Sequence, residues 1–285
     1  MPTDGRSHIR ADRDGAVGTI TIDRRERLNS FDVETARDFR RAALAFARDP
    51  EVRCVIVRGS GGVFSSGADL KYIRAGGAPD DLGYLAPAST RAPSSCGAVF
   101  KQILEYLHSA ISEVRRAPKP FIAAVDGVAA AGGMGLAIAC DLVVASDRAV
   151  FEWAYGKTAL TGAESNTFLL PRLLGLRRAL DLALLNPRLD APAPQAFGLV
   201  SQVLPADGFD EAVRALARRL ADGPTASFAA TKQLLNDACG MSALDAHLDR
   251  ELETLARAAD GPDVAEGLDA FLGRRPPRFA GRSGR

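Results

Sequence analysis

Two stretches of small residues could bring bare backbone against a ligand. The first, Asp126-Gly127-Val128-Ala129-Ala130-Ala131-Gly132-Gly133-Met134-Gly135-Leu136-Ala137-Ile138-Ala139-Cys140-Asp141, follows an apolar run at Phe121–Val125 and leads into an apolar helical segment. Its glycines and alanines leave little beyond Cβ, so a ligand can approach the main chain and the free N–H groups of the helix start can face it. Such a place suits developing negative charge. Close packing of a helix on a sheet would call for the same small residues. No G-x-G-x-x-G follows the strand and no G-x-x-x-x-G-K-[ST] occurs, so phosphate cradling is not expected. The second stretch, Gly62-Val63-Phe64-Ser65-Ser66-Gly67-Ala68-Asp69-Leu70-Lys71, again follows an apolar strand, Cys54–Val57.

Two side chains invite comparison with those loops. Glu164 closes Thr161-Gly162-Ala163-Glu164, an S/T-x-x-E capping box for a helix over Ser165–Leu174, where a glutamate also suits the macrodipole. His108 sits in the amphipathic pattern Val99–Arg116, and a lone histidine on such an apolar face is usually structural.

The elements that must position these groups alternate. A strand at Val17–Ile22 turns through Asp23–Ser30 into a helix over Asp32–Arg48, and Cys54–Val57 is the next strand. Residues Gly76–Cys96 are crowded with Gly, Pro, Ser and Ala and read as an irregular segment, a candidate lid. Strands at Phe121–Val125 and Leu142–Ala145 bracket the Leu136–Cys140 helical segment, and helices follow at Ser165–Leu174 and Leu176–Leu185. After Gln202–Pro205 the strands stop, and Phe209–Ala221, Ser227–Cys239 and Ala243–Ala258 have helical spacing before a Pro/Arg tail. The division expected is 1–205 and 206–285.

At 285 residues, 47% apolar and 25% charged, the chain reads as a soluble globular protein, and a net charge of +1 offers no footprint for nucleic acid or an acidic membrane. The polar start, Met1–Arg13, has no apolar h-region and no 18-residue apolar run occurs, so a cytoplasmic location is expected. Cys54, Cys96, Cys140 and Cys239 are scattered without C-x-x-C or a neighbouring histidine, so no metal site is expected.

Taken together, Ser65-Ser66-Gly67-Ala68-Asp69-Leu70-Lys71 and Asp126-Gly127-Val128-Ala129-Ala130-Ala131-Gly132-Gly133-Met134-Gly135-Leu136-Ala137 resemble the enoyl-CoA hydratase/isomerase (crotonase) superfamily, over about Val17–Phe279. The resemblance implies an α/β fold: a spiral of ββα repeats carrying an acyl-CoA site, then helices that build homotrimers or pairs of trimers. It places an oxyanion hole on the backbone N–H groups of Ala68 and Gly132, beside Gly133. Proton removal from C2 of an acyl thioester puts charge on the thioester oxygen, and each preorganised donor is worth roughly 10²–10³ in rate. Coenzyme A, part of the substrate rather than a separate cofactor, would lie along Arg24, Arg27, Leu28 and Ser66–Lys71, including Asp69, Leu70 and Lys71. The tail Phe271–Phe279 resembles a family C-terminus that can reach a neighbouring subunit's coenzyme A.

Departures from the family pattern narrow the chemistry. The two glutamates that serve hydration in the family fall on Gly135 and Tyr155. A subset with enoyl-CoA isomerases and 4-chlorobenzoyl-CoA dehalogenase uses one carboxylate further along; that position is Ala163, with Glu164 next. Without the aspartate at 163, dehalogenation is not expected. His108 falls where the dehalogenase has a water-activating histidine, and Tyr155 where it has a tryptophan shaping the acyl pocket. Glu152 is a second carboxylate expected in a solvated role. The resemblance therefore implies an isomerase-like proton transfer by Glu164, with His108 assisting, within fatty acid metabolism. A hydratase or thioester hydrolase (a lyase or hydrolase reading) using His108 or Glu164, and a catalytically degenerate acyl-CoA binding protein, are the alternatives.

Overall fold

The computed structural model describes residues 7–78, 95–193 and 198–281. Nine strands lie among them: β1 (Ile9–Asp14), β2 (Val17–Ile22), β3 (Cys54–Gly59), β4 (Phe121–Val125), β5 (Val128–Ala130), β6 (Leu142–Ser146), β7 (Val150–Glu152), β8 (Arg188–Asp190) and β9 (Gln202–Leu204). The larger sheet has the order β1-β2-β3-β4-β6-β9, parallel throughout except for the β1–β2 hairpin. The smaller sheet is β5-β7-β8. Strand β4 is buried along its whole length, as its unbroken apolar run requires of a parallel strand covered on both faces.

Each turn of the chain places one strand in the large sheet and a second, roughly one corner later, in the small one. Strand β4 leads to β5 and then helix α4, and β6 leads to β7 and then helix α5. In earlier turns the second strand shrinks to single parallel bridges, Phe31 to Ala68 and Ser65 to Ala129. This is the expected spiral of ββα repeats. At the β4–β5 corner Gly127 has φ +72°, and a Cβ there would run into the carbonyl of Gly62 on the preceding turn.

The helices are α1 (Val33–Arg48), α2 (Leu70–Arg74), α3 (Cys96–Arg116), α4 (Gly132–Ala139), α5 (Asn166–Leu174), α6 (Leu176–Leu185), α7 (Phe209–Ala221), α8 (Thr225–Ala238), α9 (Leu244–Ala259) and α10 (Pro262–Leu272). Helix α3 starts ahead of its apolar periodicity because the Ser95 hydroxyl accepts the Ala98 N–H at 3.1 Å. Helix α10 occupies what reads as part of the tail; Pro262 opens it, and Val264 and Leu268 anchor it in the core. Strand β1 also escapes periodicity, since only Ile9 of its six residues is buried. Most of the expected Gly76–Cys96 lid, residues 79–94, lies outside the described residues. No described helix is long and apolar enough to cross a membrane.

The helices after residue 205 share the core of the spiral. Leu248, Leu252 and Leu255 of α9 belong to the same cluster as Phe39 of α1 and Ile103 and Leu107 of α3. On the other face of the large sheet, Phe209, Val213 and Ala217 of α7 cover Val17, Ile56, Ile122 and Val144. Position 205 therefore divides element types, with the hydrophobic core continuous across it. Leu248→Ala is expected to cost about 2–5 kcal/mol and to lower a single cooperative urea transition. A separate early transition for the C-terminal helices would contradict the shared core.

Candidate active site

The two small-residue loops meet edge to edge on successive turns of the spiral. Gly67 has φ +87°, and a Cβ there would lie 2.9 Å from the Gly132 nitrogen. On either side of Ala68 the main chain is engaged with Phe31: the Phe31 N–H donates to the Gly67 carbonyl and the Asp69 N–H donates to the Phe31 carbonyl, each at 2.8 Å. That pairing turns the Ala68 N–H away from the ladder. The Gly132 N–H belongs to the unpaired first turn of α4. Among the described residues neither N–H has a hydrogen-bond acceptor. Both residues line a cavity of about 60 Å³ together with Tyr155, Leu160, Glu164 and Leu255. Ala131, between β5 and α4, sits at φ 46°, ψ −119°, a conformation L-residues rarely adopt. Its N–H donates to the Glu152 carbonyl at 3.0 Å and its carbonyl accepts from Gly135 N–H at 3.1 Å.

Glu164 faces this loop. A Cβ on Gly132 would come within 2.6 Å of Glu164 Oε1, and the Tyr155 hydroxyl donates to the other carboxylate oxygen. Both Glu164 and Ser165 have positive φ, 49° and 66°, which swings the carboxylate off the helix axis. The capping-box expectation is thereby overturned. Ser165 precedes α5 in the left-handed region without a side-chain cap, and the Thr161 hydroxyl is buried with no partner. The cap comes instead from α9, where the Glu251 carboxylate accepts the N–H groups of Ser165 and Thr167 at 2.9 Å each. Glu164 is left free of that duty.

His108 corrects a second expectation. It is buried behind Glu164 and outside the cavity lining, its Nε2 accepting the Glu164 N–H at 3.2 Å. Burial pushes its pKa down to about 3. A neutral imidazole whose Nε2 is engaged by the Glu164 N–H fixes the main chain of Glu164 from outside the cavity.

Burial moves the two carboxyls the other way. Glu164 is raised from 4.5 to about 7, chiefly by desolvation, with the Tyr155 hydrogen bond opposing and the charge of Glu251 adding to it. Glu251 is likewise raised to about 7 by desolvation, against the hydrogen bonds from Thr167 and Ser165.

A second cavity of about 220 Å³ shares Ser66, Ala68, Leu70 and Phe271 with the first and extends along Arg27, Leu28, Asp69 and Lys71. The expected coenzyme A positions are thus brought together on one surface. Leu28 stands 57% exposed at φ 54°, and Lys71 is exposed with no carboxylate in ion-pair range among the described residues. Arg24 and Asp69 are corrections. Asp69 is buried, accepts the N–H groups of Lys71 and Tyr72 at 3.1 Å, and pairs with Arg24 at 2.8 Å; Arg24 is buried and also holds Asp32 at 2.7 Å. Arg24 lies outside both cavity linings and holds the loop together, whereas Asp69 lines the second cavity with its carboxylate committed to Arg24 and the loop N–H groups. Gly133 is another: it lies outside the cavity linings, and its missing side chain lets α4 press against the Ser65 carbonyl. Tyr155 lines the pocket as expected, and Glu152 pairs with Lys157 away from it. Within the single chain, Phe271 of the tail faces its own cavities.

Sequence reasoning passed over Glu251 and Asn166. A signal for the first existed: Leu244, Leu248, Leu252 and Leu255 mark the buried stripe of α9, and Glu251 falls inside it. For Asn166, at the first position of α5, only the fold supplies its partners.

The model of the enoyl-CoA hydratase/isomerase family matches residues 12–87 and 97–282. The chain is 34% identical over 268 residues to 1,2-epoxyphenylacetyl-CoA isomerase of Escherichia coli (strain K12), covering 93% of this chain and 95% of that protein. It is 29% identical to 4-chlorobenzoyl coenzyme A dehalogenase-2 of Arthrobacter sp, over 95% and 92% of the two chains. Among solved structures, an enoyl-CoA hydratase from Mycobacterium avium subsp. paratuberculosis K-10 superposes with TM-score 0.83 at 32% identity, covering 96% of this chain and 99% of that one. The chain belongs to the enoyl-CoA hydratase/isomerase family and has its crotonase fold.

The raised carboxyl makes a stability prediction. Because Glu164 holds its proton in the folded state above the unfolded value of 4.5, its contribution is fully present below pH 4.5 and is lost as pH rises through about 7. At about 1.4 kcal/mol per pKa unit the loss reaches up to roughly 3 kcal/mol. Glu164→Gln is expected to melt above the wild type by a margin that widens between pH 5 and pH 8 in calorimetry; a margin independent of pH would contradict the buried, raised carboxyl.

Proposed function

We propose that the protein is an acyl-CoA isomerase of this family that moves a double bond from C3 to C2 of an enoyl thioester. The observation that carries this reading is the position of Glu164, the one carboxylate that lines the 60 Å³ cavity among its described residues, beside the unpaired N–H of Gly132. In the reaction the ionised Glu164 removes a proton from C2, and the electron pair moves onto the thioester oxygen, held by the N–H groups of Ala68 and Gly132. The same carboxyl then gives that proton to C4: the oxyanion pair re-forms the carbonyl, the enolate C1=C2 electrons become the C2=C3 double bond, and the C3=C4 electrons make the new C4–H bond. One carboxylate suffices for both steps because no water is added.

Burial suits Glu164 to this work. A pKa of about 7 balances readiness to take the proton against readiness to return it, and the Tyr155 hydroxyl steadies the charged form. Coenzyme A would lie along the second cavity with Lys71 and Arg27 toward its phosphates. The cavity lining gives hydration a second reading, with Glu164 alone activating water, favoured by the hydratase names of relatives. A binding protein without chemistry is less well supported, since Glu164, unlike the buried Glu251, caps no helix and lines the cavity. Leu176, Leu180 and Leu184 of α6, 67%, 46% and 77% exposed at i, i+4 spacing, favour assembly into a homotrimer or pair of trimers.

Proton NMR of crotonyl-CoA and a 3-enoyl-CoA in deuterated buffer tests the reaction. Double-bond migration or deuterium uptake by the wild type should fall by about 10²–10⁴ in Glu164→Gln; a mutant at the wild-type rate would sink the proposal, and net water addition would favour the hydratase reading. Because Glu164 must begin ionised, kcat/KM should rise with pH and level off above about 7. In Tyr155→Phe, which loses the hydrogen bond that lowers this pKa, the rise should move to higher pH.

A further inference from the structure

Asn166, the first residue of α5, is completely buried between the two halves of the site. Its Nδ2 lies 3.1 Å from the Ala131 carbonyl oxygen, 3.1 Å from the Tyr155 hydroxyl and 3.0 Å from the Ala163 carbonyl oxygen. Two of these neighbours only accept, which sets the amide end of the side chain toward them. We propose that Asn166 is a positioning residue that fixes the oxyanion donor of Gly132 and the acid/base Glu164 through one carboxamide. The proposal rests on the isomerase reading above.

The first half of the case is covalent. The Ala131 carbonyl and the Gly132 N–H belong to one planar peptide and point in opposite directions. Holding the carbonyl from behind therefore aims the N–H at the cavity. The hold matters because Ala131 has φ 46°, ψ −119°, a conformation that relaxes unless its surroundings impose it. Hydrogen bonding at the carbonyl also polarises the peptide and strengthens its N–H as a donor.

The second half runs through Tyr155. Its hydroxyl gives its single hydrogen to Glu164, so the oxygen is left to accept, and Asn166 is the donor that reaches it. That bond orients the hydroxyl toward the carboxylate.

A merely structural asparagine would be hard to explain here. Its Oδ1 is buried with no partner among the described residues, a defect that an apolar side chain of similar size would not introduce. The acceptor is left stranded by a geometry that commits the amide end to the site.

The test is Asn166→Leu, of similar volume without donors, read by kinetics and by the infrared band of a ¹³C-labelled thioester carbonyl in bound crotonyl-CoA. One oxyanion donor is worth about 10²–10³ in rate, so a misaimed one should lower kcat about 10- to 100-fold. KM should stay within a few-fold. In the wild type the carbonyl band should shift to lower frequency on binding, and Asn166→Leu should lose much of that shift. Asn166→Ala carries the same expectation if the Leu variant fails to fold. Wild-type kcat and an unchanged carbonyl shift in the folded variant would overturn the role of Asn166 while leaving the isomerase reading intact. If the wild type itself shows no shift, or Glu164→Gln keeps the wild-type rate, the isomerase reading falls and this inference with it.

Discussion

A carboxylate taken almost wholly out of water is the constraint around which this site is arranged. Glu164 is buried at the cavity wall, and desolvation pushes its carboxyl toward the neutral form. Three neighbours hold it in place. The Tyr155 hydroxyl satisfies one carboxylate oxygen, His108 takes the Glu164 N–H, and Glu251 takes the next N–H at Ser165. The last two fix the pair of left-handed residues that point the side chain toward the Gly132 loop instead of along α5. Each of the three comes from a different element: the turn after β7, α3 and α9.

The spiral makes such convergence possible. Because each turn advances by one strand, the loop after β3 and the loop after β5 are neighbours in space, stitched by the Ser65–Ala129 bridge. Their contact demands backbone without side chains at Gly67, Gly132 and Gly133, where a Cβ would meet main chain or Glu164 itself. The same absence of side chains exposes the N–H groups of Ala68 and Gly132. Packing and a donor site are one requirement here, and the small residues serve both. Helix α9, far along the chain, completes the arrangement by closing over α3 and α5, which is why the C-terminal helices share the core.

Much of this was legible in the chain before folding. The β2, β3, β4 and β6 runs, α1, α6 and α7 follow from periodicity, and the two small-residue loops stand out by composition. Three-residue strands such as β5, β7 and β8 carry too few positions for a period, and β1 buries one residue. At the site the failures share a cause. Thr161-Gly162-Ala163-Glu164 obeys the local rule for a helix cap, yet a carboxylate 86 residues away wins the N–H groups. Arg24 looks like a ligand contact until its ion pair with Asp69, closed across 45 residues, absorbs it. Long-range competition for one hydrogen bond is invisible to any window of sequence.

Gly135 shows how that competition also reaches the chemistry. In the hydratases of this family the first of two glutamates falls at this position. Here a Cβ on Gly135 would collide with the main chain of Glu164 and lie within 2.9 Å of its Cβ and 2.6 Å of Asn166 Nδ2. A carboxylate at 135 and the present placement of Glu164 are therefore sterically exclusive. In this chain the 163–166 turn fills the space that a side chain at 135 would need. Tyr155, at the position of the second glutamate, donates instead to Glu164. Glu164 is thus the one carboxylate lining the cavity among its described residues, the arrangement on which the proposed transfer of a single proton between carbons rests.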